Sequence, residues 1–233
     1  MRSKRGPRHL AEYNRQVPLS GLFPENQVSI QLYRHTTHMG QEQLPLFGAP
    51  ADTEPQGLRY EREFLDEREE GALIKEIQCL PLAEMRYKSY TARRRIVSYG
   101  GQYDFETHSL HSAQELPPDF HALRQRVAAW YGAPPEVFTQ VLVAEYRPGT
   151  PLGWHRDVPD FEDIVGVSLA GHAIMRFRPY PPKSPSVRSL VKLEMEPRSI
   201  YLLSGPARWE WQHSVAPTKS LRYSITFRTR RQR

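Results

Sequence analysis

The chain has 233 residues, 39% hydrophobic and 25% charged, which are globular proportions and enough to bury one sizeable core. A single cysteine, Cys79, excludes an internal disulfide, and no apolar run approaches the roughly 20 residues that cross a bilayer or forms a secretion-signal core. The formal charge of +6 favours a polyanionic partner, nucleic acid before membrane, and a cytoplasmic monomer is expected.

Residues 1–57 are rich in Pro, Gln, Arg and Gly and show no sustained period, so they are expected to be a disordered tail. Within it, Gln43-Leu44-Pro45-Leu46-Phe47 resembles the peptide by which bacterial DNA-maintenance enzymes dock on the polymerase sliding clamp. In that reading Leu44, Leu46 and Phe47 fill an apolar pocket and Gln43 supplies hydrogen bonds; the plain alternative is that they cover the chain's own surface. Residues 58–233 form the folded domain. Its first helix is expected over Asp66–Cys79, with Leu73, Ile74, Ile77 and Leu80 as its apolar stripe. Extended stretches over 84–90 and 93–99 follow. They carry Arg86, Lys88, Arg93, Arg94 and Arg95 among Tyr87, Tyr90 and Tyr99, with Tyr103 just beyond. Such interleaving suits phosphates and a stacked base, although a solvated hairpin has the same composition.

A second helix is expected over 117–132, where Pro117 and Pro118 open it, Gly132 lies past its end, and Phe120, Leu123, Val127 and Trp130 recur at helical spacing. The run 138–146 is a strand that delivers Tyr146. Short β-rich runs then recur at 164–169, 173–178, 189–193, 199–203, 209–215 and 221–229, between Gly/Pro turns. Two helices followed by evenly spaced strands predict an α+β, mainly β class: a double-stranded β-helix, or jelly roll, with the N-terminal helices packed on one sheet.

Chemistry concentrates at the end of that pattern. His155 and Asp157 are two apart, so on a strand or its exit they point to one face while Trp154 and Arg156 point away. With His213 downstream they have the form of a two-His-one-carboxylate facial triad, a donor set for ferrous iron that leaves positions open. Trp209, Trp211 and His213 are expected on one strand face. Segment 222–228 alternates strictly: Arg222, Ser224, Thr226 and Arg228 on one side, Tyr223, Ile225 and Phe227 on the other. Two arginines facing into a barrel would grip a small dicarboxylate bidentately. A lone His-x-Asp is usually structural and an Arg-rich strand face is usually solvated, so the argument rests on the ordered set.

That set, Tyr146, His155, Asp157, His213, Arg222, Ser224 and Arg228, resembles the AlkB family of iron(II) and 2-oxoglutarate dioxygenases over roughly Leu58 to Arg230. The ending Arg-x-Ser-x-Thr-x-Arg is the most specific part. The resemblance implies Fe(II), 2-oxoglutarate and O2 as cofactors, held by His155, Asp157 and His213 as metal ligands. Arg222 would bind the distal carboxylate, with Tyr146 and Ser224 hydrogen-bonding, and Arg228 would lie beside the chelating one. Arg94 to Gly100 resembles the family's nucleotide-recognition lid, so Arg93, Arg94, Arg95, Tyr99 and Tyr103 are the expected substrate residues. The implied activity is oxidative dealkylation of alkylated bases in DNA, with RNA left open. Oxidation of a protein side chain is the alternative, and a non-catalytic clamp-tethered nucleic-acid-binding module the third reading. Relatives resembling this chain begin just before a Leu-Phe-ending motif, which makes Met39 an alternative start to Met1. Ala144 stands where well-known bacterial members carry an asparagine that touches the cosubstrate. Val158 and Pro159 follow the metal aspartate where those members place an acidic residue against the base, which leaves the lesion open.

Overall fold

The computed structural model describes residues 54–87, 90–104, 109–182 and 190–232. The clamp-like motif and Met39 lie outside them. In chain order the elements are β1 (Leu58–Glu61), α1 (Glu67–Cys79), β2 (Ala83–Tyr87), β3 (Tyr90–Tyr99), β4 (Gly101–Asp104), β5 (Ser109–Ser112) and α2 (His121–Tyr131). Then come β6 (Phe138–Tyr146), β7 (Leu152–His155), β8 (Phe161–Leu169), β9 (Ala173–Pro179) and β10 (Val191–Met195). The chain finishes with β11 (Ser199–Leu203), α3 (Gly205–Trp209), β12 (Trp211–Val215) and β13 (Arg222–Arg230).

The strands form a seven-stranded sheet, β1-β11-β8-β13-β6-β3-β2, a four-stranded sheet, β10-β9-β12-β7, and the separate hairpin β4-β5. Every pairing is antiparallel. This is the jelly-roll arrangement expected, with both predicted helices on the outer face of the larger sheet. Their burial follows from helical spacing: Leu73 and Ile77 of α1 and Leu123 and Val127 of α2 join one core with Val141, Val143, Val165, Val167, Tyr223, Ile225 and Phe227. Each such buried side chain contributes roughly 1.5–3 kcal/mol.

Local signals set the helix ends. Asp66 Oδ1 accepts from the Glu69 amide at 2.7 Å while Glu69 Oε2 accepts from the Asp66 amide at 2.8 Å, a reciprocal capping box. Gly132 ends α2 in the left-handed region at φ 94°, which a residue with a Cβ enters only under strain. Glu69 also meets Arg126 at 2.6 Å, so α1 and α2 are tied to each other as well as to the sheet.

Two local expectations change. The tail was expected to run through residue 57, yet Gln56 and Gly57 accept hydrogen bonds from the Ala207 and Ser204 amides at 2.8 and 3.1 Å, so ordered contacts start earlier. Trp209 does not share a strand face with Trp211 and His213: it ends helix α3, its ring lying between Arg208 and Arg231 at 4.3 Å from each. The polar face of β13 looks inward, as expected of a strand whose two arginines face a barrel interior: Arg222, Ser224 and Thr226 are all buried.

A second core fills the space between the sheets, from Phe161, Ile164, Met175, Phe177, Met195, Tyr201, Leu203 and Val215. Polar side chains of the same space lie directly against it: the Phe177 ring is 6.3 Å from that of His213, and Arg228 lies over the Phe161 ring at 5.7 Å. No helix among the described residues is long and apolar enough to cross a membrane.

Candidate active site

The pocket is built by register. Along the centre of the larger sheet, Arg222 pairs with Tyr146, Ser224 with Ala144, Thr226 with Leu142 and Arg228 with Gln140. On the other side of β13, Ser224 pairs with Ser168, Thr226 with Gly166 and Arg228 with Ile164. Because side chains alternate, these residues all face the smaller sheet, and their neighbours Tyr223, Ile225 and Phe227 face the helices. Gly166 has a steric reason to be glycine: a Cβ there would lie 2.2 Å from the Tyr201 ring, which crosses the sheet at that point.

The smaller sheet brings the metal-type residues to the same space. β12 pairs with β7 so that His213 stands opposite His155, and the ring centroids are 4.3 Å apart. Asp157, just past the end of β7, completes the group: one donor atom from each of His155, Asp157 and His213 lies within 4.8 Å of the others. The two carboxylate oxygens have different tasks. Oδ1 accepts from Arg228 Nε and Nη2 at 3.0 and 2.8 Å, whereas Oδ2 faces His213 Nε2 at 3.5 Å. Arg228 also donates to Gln140 Oε1 at 2.9 Å, which fixes its guanidinium plane.

The protonation states suit a cation. Burial alone would raise Asp157, but the charges of Arg228, the two histidines and Arg208 outweigh it and hold the carboxyl well below the usual carboxylate range. Burial pushes His213 down to about 3, and it lowers His155 as well. Both rings are therefore neutral at pH 7, the form that ligates. For His155 the tautomer follows from a hydrogen bond: its Nδ1 lies 2.9 Å from the Gly153 carbonyl, which can only accept, so Nδ1 carries the proton and Nε2 is free. Two imidazole nitrogens and one carboxylate oxygen, preset in this way, fit Fe(II).

Beside the triad the pocket is cationic. Arg222 is 1% exposed and meets no carboxylate among the described residues. Its hydrogen bonds go to Ser168 Oγ at 3.0 Å and to Met195 Sδ at 3.9 Å, and its charge lies 5.0 Å from the Tyr146 ring. A buried guanidinium without a counter-ion is costly, and an anionic ligand relieves that cost. Arg94 enters from β3, with Nη1 donating to the Tyr146 hydroxyl at 3.4 Å and a buried Nε that has no partner. Burial pushes the Tyr146 phenol up, but Arg94 and Arg222 outweigh burial and leave it below its usual value. Tyr201, by contrast, is pushed up to about 12, chiefly by burial.

Residues 57–228 match the profile of the 2OG-Fe(II) oxygenase superfamily. The chain belongs to that superfamily, in its AlkB-like branch. It is an Fe(II)- and 2-oxoglutarate-dependent dioxygenase, with O2 as co-reactant. Among curated relatives, it is 32% identical to the Arabidopsis thaliana "Alkylated DNA repair protein ALKBH8 homolog" over 61% of this chain and 47% of that protein. It is 26% identical to the Xenopus tropicalis "tRNA (carboxymethyluridine(34)-5-O)-methyltransferase alkbh8" over 71% of this chain and 26% of that protein. The oxygenase thus spans about half the length of the plant relative and a quarter of the frog one. The structure of OsALKBH1 superposes with a TM-score of 0.60 at 18% identity, covering 76% of this chain and 98% of the other, a likeness of fold.

The geometry gathers His155, Asp157, His213, Tyr146, Arg222, Ser224 and Arg228 into one space. The lid residues divide. Arg94 reaches the pocket. Arg95 points to the opposite face, where it pairs with Glu145 at 3.3 Å and donates to the Leu82 carbonyl at 2.7 Å. Tyr99 is 2% exposed in the helix-side core, so the structure gives it packing work and not an open ring for stacking. Arg93 and Tyr103 lie on β3 and β4, and their side chains fall outside the description.

Sequence reasoning missed Gln140, Ser168, Tyr201 and Arg208. Gln140 had a signal, because it shares the even-numbered row of β6 with Tyr146. Arg208 had none. It is 2% exposed, and its Nη2 donates to the carbonyls of Asp157, Val158 and Phe161 at 3.2, 2.8 and 3.0 Å, which braces the turn that carries Asp157.

Proposed function

We propose that this dioxygenase oxidatively dealkylates alkylated bases in nucleic acid. His155, Asp157 and His213 hold the iron. Arg222, Tyr146 and Ser224 hold the distal carboxylate of 2-oxoglutarate, and Arg228 faces the carboxylate nearer the metal while orienting Asp157. Bound together, iron, 2-oxoglutarate and dioxygen supply the oxidation of a nearby C–H bond. The chain's residues supply position, charge balance and a dry pocket. A methyl on a ring nitrogen, once hydroxylated, breaks down to formaldehyde and the bare N–H, while 2-oxoglutarate leaves as succinate and CO2.

The observation that carries the nucleic-acid reading is the β2–β3 hairpin, placed at the edge of the larger sheet with Arg94 extending from it into the pocket. The formal charge of +6 supports the same reading. So do the names of the relatives, one of which mentions alkylated DNA and the other a tRNA uridine. The second name favours RNA beside DNA as a substrate class.

A panel of oligonucleotides decides the matter: N-methyl and etheno lesions, each in DNA and RNA, plus a modified-uridine RNA, incubated with Fe(II) and 2-oxoglutarate. Loss of adduct with matching succinate is expected on at least one of them. No product on any nucleic acid, with activity on a methylated peptide, would move the enzyme to the protein-modifying alternative. For the tail motif a sliding clamp competes with plain cover of the chain's own surface: on the clamp reading Leu44→Ala with Phe47→Ala should abolish clamp pulldown, and unchanged pulldown, or none from the wild type, removes that partner.

A further inference from the structure

The outward face of the four-stranded sheet carries cations that lack the partners found elsewhere. Along β9, Ala173, Met175 and Phe177 point to the core, so Ile174, Arg176 and Arg178 point out, and Tyr180 continues the outward row. On β12, His213 points in and Gln212 and Ser214 lie on the other side; on β7, His155 points in and Trp154 out, with Arg156 next in that row. Lys192 of β10 stands opposite Arg176.

These groups are held in place. Arg178 and Arg176 lie over the Trp154 ring at 4.4 and 5.4 Å, and Arg156 lies over the Tyr180 ring at 3.8 Å. Arg176 Nε donates to Ser214 Oγ at 3.0 Å and Arg178 Nε to Gln212 Oε1 at 2.8 Å. Arg156 Nη1 donates to the Trp209 carbonyl at 2.9 Å, so each guanidinium is fixed by a hydrogen bond and a ring face, with further N–H groups left to donate. Arg95, Arg126, Arg147, Arg198, Arg228 and Arg231 all face carboxylates. Among the described residues, Arg156, Arg176 and Arg178 face none. Glu194, opposite Ile174, is the one carboxylate on the outward face of β9, β10 and β12.

We infer that this face is the track for the nucleic-acid backbone that flanks the reacting nucleotide. The inference rests on the nucleic-acid reading above. β7 is an edge strand, with a metal ligand on its inner side and Trp154 and Arg156 on its outer side. A strand leaving the pocket over that edge meets Arg156 first, then Arg178 and Arg176. Guanidiniums preset on aromatic rings grip phosphate oxygens bidentately, and an exposed ring such as Tyr180 offers a platform for a base.

The test is the R176Q/R178Q variant of the full chain, since neither residue touches the triad or the cosubstrate residues. Binding of an unmodified single-stranded oligonucleotide is followed by anisotropy across a salt series. Losing two phosphate contacts should flatten the log K against log salt slope by about 1.4 and weaken binding at low salt by roughly tenfold or more. Succinate formed without substrate, and the melting temperature, should match wild type. If R176Q/R178Q melts early, K192E on an exposed side chain carries the test, with an expected slope change of about 0.7. Wild-type affinity and slope in the variant overturn the track alone. Absence of any nucleic-acid binding by the wild type removes the track together with the reading on which it rests.

Discussion

Replacing Arg222 with methionine separates what this side chain does for binding from what it does for folding. The guanidinium is 1% exposed, meets no carboxylate among the described residues and donates only to a hydroxyl and a thioether. In the free protein it is therefore a burden, and a methionine of similar length should leave the melting temperature level or raise it. In the proposed complex it would partner a desolvated carboxylate, and removing one member of such a pair costs about 2–5 kcal/mol. That corresponds to roughly 30- to 4,000-fold in Kd. Titration calorimetry of 2-oxoglutarate into the Mn(II)-loaded protein under anaerobic conditions measures the first quantity, and thermal unfolding of the ligand-free protein measures the second. Arg222→Lys should fall between, because it keeps the charge and loses the fork. A methionine variant that binds 2-oxoglutarate like wild type refutes the assignment. One that binds weakly and also melts early shows that Arg222 acts through packing.

Arg208→Met removes three donations to the carbonyls of residues 157, 158 and 161, so metal affinity should fall by about 10- to 100-fold, read by Co(II) titration. Unchanged affinity would show that the turn holds its shape without Arg208. Gly166→Ala drives a Cβ to within 2.2 Å of the Tyr201 ring and should cost about 1–3 kcal/mol in denaturant unfolding. Adding Tyr201→Ala should return part of it, and additive losses would refute the clash. The metal-free protein should lose stability as pH falls from about 6.5 toward 3, because the unfolded chain protonates histidine near 6.5 while folded His213 takes its proton only near 3. The steepest loss is about 1.4 kcal/mol per pH unit per histidine. Burial lowers His155 in the same direction, so the two add, and a flat profile over that range would contradict the neutral-ligand state.

Much of this architecture can be read from the chain because its signals are local. β6 and β11 fall on the residues that the apolar runs mark, and α1 starts where Asp66 and Glu69 form a capping box. The site was legible for a different reason. His155 and Asp157 declare a shared face by being two apart, and the four polar members of β13 do the same. Elements of four or five residues escape periodicity altogether. α3 holds five residues, too few to show a helical repeat, so Trp209 was drawn into the following strand. Arg208 was hidden for the same reason, and Ser168 and Tyr201 because their polar groups sit inside apolar strands. The lid was read by composition, which cannot tell the two faces of β3 apart. Register does: Arg95 stands opposite Glu145 on the helix side, which leaves Arg94 on the pocket side.

The two ends of the pocket stand on different foundations, and this bears on how one oxidation chemistry serves unlike substrates. Arg222, Ser224, Arg228, Gln140, Tyr146 and Ser168 lie on β13, β6 and β8, the middle of the larger sheet, with paired strands on both sides and helices packed behind. Displacing any of them means displacing the core. The proposed substrate side is built from edges: the β2–β3 hairpin at one margin of the larger sheet and β7 at the margin of the smaller. Charge makes the same division. At the β13 end Arg228 is neutralised by Asp157, and Arg222 is buried with no carboxylate facing it among the described residues. At the β7 edge Arg156, Arg176 and Arg178 are held by rings and by carbonyl, hydroxyl or amide oxygens, and none faces a carboxylate among the described residues.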